Sequence, residues 1–271
     1  SPSERNGLKS MRKVVGIVPL AFLLASCGFF TWKGQGGGVS DEEASMCEPC
    51  AVTVHAVRLS QLKLGDSVAV LGAGPIGLLC MQVAKAAGAS KVIVSEPVEA
   101  RANAARKLGA DVVLNPTKDD VPARIVELTD GNGPEVVFEC AAAKGTLESA
   151  MDMVKRGGQV VLVAIAWEPT DMIPPNWIAR EVSLKSSFGS QPEDWRVALE
   201  LIRTGKVSME PFVSEASFLP LDNIQDAFEA NYNKLNDMKV RDPDLIKKCY
   251  QEVNQLINYA KLANDNYYEA E

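Results

Sequence analysis

Histidine is almost missing from this chain of 271 residues; His55 is the only one. That excludes a metal site built from several imidazoles and leaves no choice of imidazole base. Cysteine is sparse as well. Six in a chain of this length do not make a disulfide framework. Positive charge is in deficit, with 28 lysines and arginines against 35 aspartates and glutamates. The net charge of −7 argues against nucleic acid as the main partner. What the chain does have is apolar substance: 46% hydrophobic residues can bury a real core, and the length allows one large domain or two small ones.

The most informative stretch is residues 67–77, Ser67-Val-Ala-Val-Leu-Gly-Ala-Gly-Pro-Ile-Gly77. An apolar, β-branched run leads into Gly72-x-Gly74-x-x-Gly77, and a helical pattern follows. The motif alone is weak. Here it has a strand before it, a helix after it, and an acid, Glu96, at the end of the next strand, 24 residues beyond Gly72. Gly72 permits the tight turn, Gly74 lets the backbone approach a pyrophosphate, and Gly77 lets the helix lie against the sheet. Pro75 and Ile76 open that helix, whose N-terminal N–H groups suit phosphate. Glu96 can accept from an adenosine ribose and would repel a 2′-phosphate, which favours NAD over NADP.

Residues 1–38 are unlike the rest. Lys9, Arg12 and Lys13 precede residues 14–30, an uncharged run of 17, and a glycine-rich linker follows at 34–38. Three readings stay open. One is a secretory signal, with Leu24-Ala-Ser-Cys27 resembling a lipoprotein cleavage box and Cys27 lipidated. The second is a membrane anchor near the lower length limit for spanning a bilayer. The third is a packed hydrophobic helix.

After the linker, residues 41–58 read as one helical stretch. It contains Cys47, Cys50 and His55. The C-x-x-C spacing suggests zinc, but no second cysteine pair is near and the stretch is apolar, which favours core packing. Strands are expected at 67–71, 91–95, 111–114, 135–139, 159–163 and 182–186. Helices are expected at 75–87, 99–108, 121–129, 146–154, 193–203 and 223–230. This alternation implies an α/β fold, a Rossmann doubly wound parallel sheet, here with helical N- and C-terminal extensions. A ligand would cross the carboxyl ends of the strands. Those ends nominate Glu96, Cys140 with Ala141, Ala164 with Ile165, and Ser187, Phe188 and Gly189. Arg101 lies one turn into the second helix, near the ribose. Cys140 reads as a small residue packed against the nucleotide, since no basic partner that would make it a nucleophile is visible. Beyond residue 231 the composition shifts to Asn, Lys, Tyr and Glu. There Ile246, Cys249, Val253, Leu256 and Ala260 form a short heptad-like stripe. The expected division is 1–38, 39–190 (dinucleotide-binding), 191–231 and a helical tail at 232–271.

Residues 39–231 resemble the zinc-type medium-chain alcohol and polyol dehydrogenases, nearest the sorbitol, 2,3-butanediol and threonine groups. The resemblance is carried by Glu48-Pro49 with His55, Gly65-Asp66, Gly72-Ala-Gly-Pro-Ile-Gly77, Lys107-Leu-Gly-Ala-Asp111, Gly157-Gly158 and Leu221-Asp-Asn-Ile-Gln-Asp-Ala-Phe228. It implies hydride transfer between a secondary alcohol and NAD, with a zinc ion polarising the alcohol oxygen. By resemblance Ile76, Glu96, Arg101, the loop Val163-Ala164-Ile165 and the loop Ser187-Phe188-Gly189 contact the dinucleotide, and Glu48 is the acid beside the zinc. It also implies a small alcohol or polyol substrate, a cytoplasmic location, and a homodimer or partner chain over the surface that the zinc domain covers.

The chain departs from the family ahead of Val39. A β-rich domain supplying the zinc ligands is expected there, and the 38 residues in its place hold one cysteine and no histidine. The nucleotide-binding half is therefore expected to be intact and the zinc site incomplete. Two functions stay open: an NAD-dependent dehydrogenase that draws its zinc half from elsewhere, and a non-catalytic NAD-binding accessory or scaffold subunit, membrane-tethered through 14–30 in one form.

Overall fold

The structure, a computed structural model, describes residues 38–165 and 170–213. The hydrophobic run at 14–30, Cys27, the 223–230 helix, the Leu221–Phe228 motif and the heptad-like stripe lie outside the described residues. Gly38–Phe212 form one compact unit.

Two helices precede the sheet. Ser40 caps α1 (Asp41–Ser45) with a reciprocal box: its Oγ accepts the Glu43 N–H at 3.1 Å, and Glu43 Oε2 accepts the Ser40 N–H at 2.9 Å. The chain then breaks at Met46 and restarts as α2 (Cys47–Leu59). The single helix expected over 41–58 is thus two. Pro49 accounts for the break. It has no N–H for the carbonyl four residues back, and it is tolerated only in the first turn of a new helix.

From there strands and helices alternate: β1 (Ser67–Leu71), α3 (Pro75–Ala86), β2 (Lys91–Ser95), α4 (Glu99–Lys107), β3 (Val112–Leu114), α5 (Val121–Leu128), β4 (Val136–Glu139), α6 (Thr146–Met153), β5 (Gln159–Leu162), α7 (Pro174–Ile178), β6 (Ser183–Ser186) and α8 (Pro192–Arg203). The strands and helices expected between residues 67 and 203 are present, several shorter by one residue at an end where caps and frayed turns blur the boundary. The short helix α7 was not expected from the sequence. Its Pro174-Pro175 opening reads as a turn, although proline is also a good first-turn residue.

The six strands are all parallel in the order β3-β2-β1-β4-β5-β6. Val70 pairs with Val94 on one side and with Phe138 on the other, so the fingerprint strand is central. Strands buried on both faces are apolar at nearly every position. On one face Ala69, Leu71, Ile93, Val137 and Val160 pack with Ile125 of α5 and Met151 and Met153 of α6. Alternation turns Val68, Val70, Val92, Val94 and Phe138 to the opposite face, where all are buried. There α2 packs on α3 and on α8. β6 is an edge strand, with Leu184, Lys185 and Ser186 exposed. After α8 the chain turns back, with Val207 and Met209 buried, and is tied to α3 by a buried side chain. Gln82 of α3 accepts the Ser208 N–H at 2.7 Å and donates to the Ser208 carbonyl at 3.3 Å.

Among the described residues no helix is long and apolar enough to cross a membrane.

Candidate dinucleotide-binding site

The strand order reverses at β1, and the loops at the carboxyl ends of β1, β2, β4, β5 and β6 gather around that switch point. Gly72 stands at φ +91°, and its N–H donates to the Ser95 carbonyl at 2.8 Å. A Cβ there would lie 3.1 Å from Ala141 Cα. A Cβ at Gly77 would lie 1.9 Å from the Gly72 carbonyl oxygen, so α3 can sit on its own turn only without one. Gly74 is different. Among the described residues, a Cβ there would meet nothing within 4 Å, and no side chain caps α3. The uncapped N–H groups of α3 and the open space beside Gly74 make the cradle that a pyrophosphate would fill. Pro75 is the first helical residue and Ile76 follows it.

Glu96 is only 3% exposed. Its Oε2 accepts the Ala73 N–H at 2.7 Å and its Oε1 accepts the Val98 N–H at 2.9 Å. The acid nominated for a ribose therefore also holds the fingerprint loop in shape. Each carboxylate oxygen keeps a second lone pair for a hydroxyl. Arg101, one turn away, is exposed and pairs with none of the described residues.

Glu139 was not singled out in the sequence. It ends β4 as Glu96 follows β2, and it is buried. Its Oε1 accepts the Ala141 N–H at 3.0 Å, the Ala142 N–H at 2.9 Å and the Thr146 hydroxyl at 2.9 Å. Ala142 is held at φ +50°, a conformation that costs a residue with a Cβ about 1 kcal/mol or more. An acid at the carboxyl end of a predicted strand was the signal that could have found it.

Cys140 begins that loop. Hydrogen bonding with Cys80, and then burial, hold its thiol well above the ordinary range. That fits a packed residue and not a nucleophile. The Glu139 carbonyl accepts both the Val163 and Ala164 N–H groups at 3.0 Å, which fixes the turn after β5, and Ile165 beyond it is exposed. The Ser187 N–H continues the ladder to the Leu162 carbonyl at 2.9 Å. Ser187 Oγ is buried without a hydrogen-bond partner among the described residues, an orphaned group of the kind a bound ligand satisfies. Phe188 is 70% exposed beside it, and Gly189 turns the loop at φ +65°. The open cradle after the central strand β1 and the orphaned hydroxyl after the edge strand β6 fit a dinucleotide.

The residues considered for zinc go elsewhere. Cys47 and Cys50 are buried in α2, and burial first, then their neighbours Glu48 and Cys47 respectively, push both thiols up to about 12. His55 Nδ1 lies 2.8 Å from Asp194 Oδ2. Glu48, in the first turn of α2, is buried without a hydrogen bond among the described residues, and burial raises its carboxyl. Among the described residues no group of three or more His, Cys, Asp and Glu side chains is placed to hold a metal ion. They do not fit zinc.

A separate cleft of about 360 Å³ opens between α4 and residues 205–211, lined by Asn103, Lys107, Lys206 and Glu210 among others. It shares no residue with the site above.

The family model described as zinc-binding dehydrogenase matches residues 75–204. Human sorbitol dehydrogenase is 36% identical over 193 residues, 70% of this chain and 53% of that protein. The 2R,3R-butanediol dehydrogenase of Bacillus subtilis superimposes with a TM-score of 0.60 at 35% identity, over 64% of this chain and 49% of that one. A zinc-binding dehydrogenase of Sinorhizobium meliloti 1021, solved bound to NADP, gives a TM-score of 0.58 at 33% identity, over 62% of this chain and 50% of that one. The chain spans about half the length of the curated relatives it matches. Through the stretch that builds this nucleotide-binding fold, the chain belongs to the zinc-type medium-chain alcohol and polyol dehydrogenase family.

Proposed function

We propose that residues 39–190 bind NAD, in preference to NADP, as the nucleotide-binding half of an oxidoreductase that moves a hydride between a secondary alcohol or polyol and NAD. The observation that carries this reading is the fingerprint turn. Gly74 faces open space at the uncapped start of α3, and buried Glu96 stands beside it. The pyrophosphate would lie on the N–H groups around Gly74, Pro75 and Ile76. Glu96 would accept the ribose hydroxyls and disfavour a 2′-phosphate by charge. Ser187 Oγ would hydrogen-bond the nicotinamide half, with Val163, Ala164, Ile165, Phe188 and Gly189 lining it. Bound NAD supplies the hydride acceptor. The chain's own contribution is to bind and orient it and to keep water from the buried loops.

The family's zinc would polarise the alcohol, with Glu48 beside it. Glu48 by itself does not make that site, and a zinc half would come from residues other than those described. The lack of a metal-competent cluster among the described residues favours a second reading, a non-catalytic NAD-binding subunit. A small alcohol or polyol substrate, a cytoplasmic location and pairing of two copies along the exposed edge of β6 go with the first reading.

Calorimetric titration of the full chain with NAD and with NADP tests the proposal. Expected is binding at micromolar to sub-millimolar level, roughly 5–8 kcal/mol, weaker for NADP and abolished by Gly74→Glu. No binding of either nucleotide overturns it. Zinc content and alcohol-dependent NAD reduction then separate the two readings.

A further inference from the structure

Asp194 is fully buried in the described unit, and the fingerprint does not account for it. It lies in the first turn of α8, where its Oδ2 accepts the Gln191 N–H at 2.7 Å, an ordinary cap. It does more than cap. Oδ2 also meets His55 Nδ1 at 2.8 Å, and Oδ1 accepts from Arg58 Nη1 at 2.5 Å. A cap needs neither of these donors, and both come from α2. A carboxylate with no solvent exposure is stable only when its oxygens are filled in this way. Because it can only accept, Nδ1 of His55 carries the hydrogen.

The loop between β6 and α8 is consequently held at both ends. Its start is tied to the sheet by the Ser187 N–H to the Leu162 carbonyl, 2.9 Å. Its end is tied to α2 by Asp194. Trp195 Nε1 donates to Ser190 Oγ at 3.0 Å inside the same turn, and Cys47 Sγ lies 3.7 Å from the Trp195 carbonyl oxygen. Between the two ties stand Phe188 and Gly189. In a doubly wound sheet the two halves of a dinucleotide lie on either side of the switch point. Glu96 and α4 are on the adenosine side, and this loop is on the other.

We infer that Asp194 is a positioning residue for the nicotinamide half of the cofactor: by tying the 187–191 loop to His55 and Arg58 it fixes where Ser187 and Phe188 stand. The inference rests on the NAD-binding reading above. It separates the two halves of the ligand, which a general loss of stability would not do.

The test uses the full chain and two probes, NADH and ADP-ribose, which lacks the nicotinamide. Asp194→Asn keeps an oxygen for the Gln191 N–H and removes the charge that His55 and Arg58 face. Expected is a loss of about tenfold in NADH affinity, with ADP-ribose changed less than about twofold. The fluorescence change of bound NADH should diminish with it, since that signal reports the surroundings of the nicotinamide ring. Arg58→Gln, at a half-exposed position that leaves the cap intact, should give a smaller loss of the same selectivity and serves if Asp194→Asn fails to fold. Equal weakening of both probes, or no change in either, overturns the inference while leaving NAD binding in place. Failure of the unsubstituted chain to bind either probe overturns the NAD-binding reading and this inference with it.

Discussion

Glu96 accepts the N–H of Ala73 at 2.7 Å with one carboxylate oxygen while the other accepts the N–H of Val98 at 2.9 Å. Ala73 is itself buried, so its N–H has no water to turn to. Glu96→Ala should therefore destabilise the fold by about 1–3 kcal/mol, the cost of a stranded buried donor, and weaken NAD binding in the same variant. Glu96→Gln keeps one acceptor and should lose about half as much stability. Thermal unfolding with nucleotide titration checks both. An alanine variant as stable as the parent would mean the loop holds its shape without the acid.

Gly74 and Gly77 should respond in opposite ways to one added methyl. Gly74 stands at φ −66° in open space, so Gly74→Ala should fold normally and lose nucleotide affinity. Gly77→Ala would drive a Cβ into the Gly72 carbonyl oxygen, and overpacking of that kind costs about 1–3 kcal/mol or more. Denaturant unfolding and nucleotide titration of the two variants separate these effects.

Acid should weaken the fold through Glu135. Burial acts to raise its carboxyl. This is outweighed by Lys155 Nζ at 2.8 Å and by the Ser67 N–H and hydroxyl, both at 2.8 Å, and the group is held down at about 2. A carboxyl lower in the folded state than in the unfolded one stabilises above its ordinary value of 4.5. That contribution is lost as pH falls from there towards about 2. Glu48 has the opposite sign, because burial raises its carboxyl and protonation relieves it. Glu135→Gln should flatten the decline in unfolding free energy over that window, whereas Glu48→Gln should act above it, removing a gain in stability that otherwise accrues as pH falls towards 4.5.

The cysteines of α2 should be slow to alkylate. With both thiols at about 12 and buried, thiolate is scarce at pH 8. Iodoacetamide should label Cys47 and Cys50 in denaturant and spare them in the folded chain, as read by mass spectrometry of the peptide that contains both. Rapid labelling of the folded protein would contradict the packing described.

The parallel sheet was legible because each strand but β6 is a short apolar run punctuated by glycine or by an Asn-Pro or Ser-Glu step. The order of the strands followed from the fingerprint on the first. Gly72 and Gly77 were legible because only glycine fits their places, and Gly74 because it completes their spacing. Glu139 and Asp194 were not. Their roles depend on backbone N–H groups and on partners such as His55, 139 residues away, which no spacing in the chain announces. The break at Met46 was missed because helical periodicity continues across it, although Pro49 carried the signal. The orphaned hydroxyl of Ser187 could not be read at all, since a missing partner is a property of the assembled site.

Gln82 gives the last described turn an unusual kind of reporter. Its amide takes both the N–H and the carbonyl of Ser208, 126 positions away in sequence. To expose that N–H to solvent deuterons, the 205–211 turn must also abandon a buried side-chain amide on α3. Such an opening is costly by itself and less costly when α3 opens with it. The exchange rate of this single amide should therefore track that of the helix carrying the nucleotide fingerprint, although the two are remote in the chain. A bound nucleotide that quiets α3 should quiet Ser208 as well.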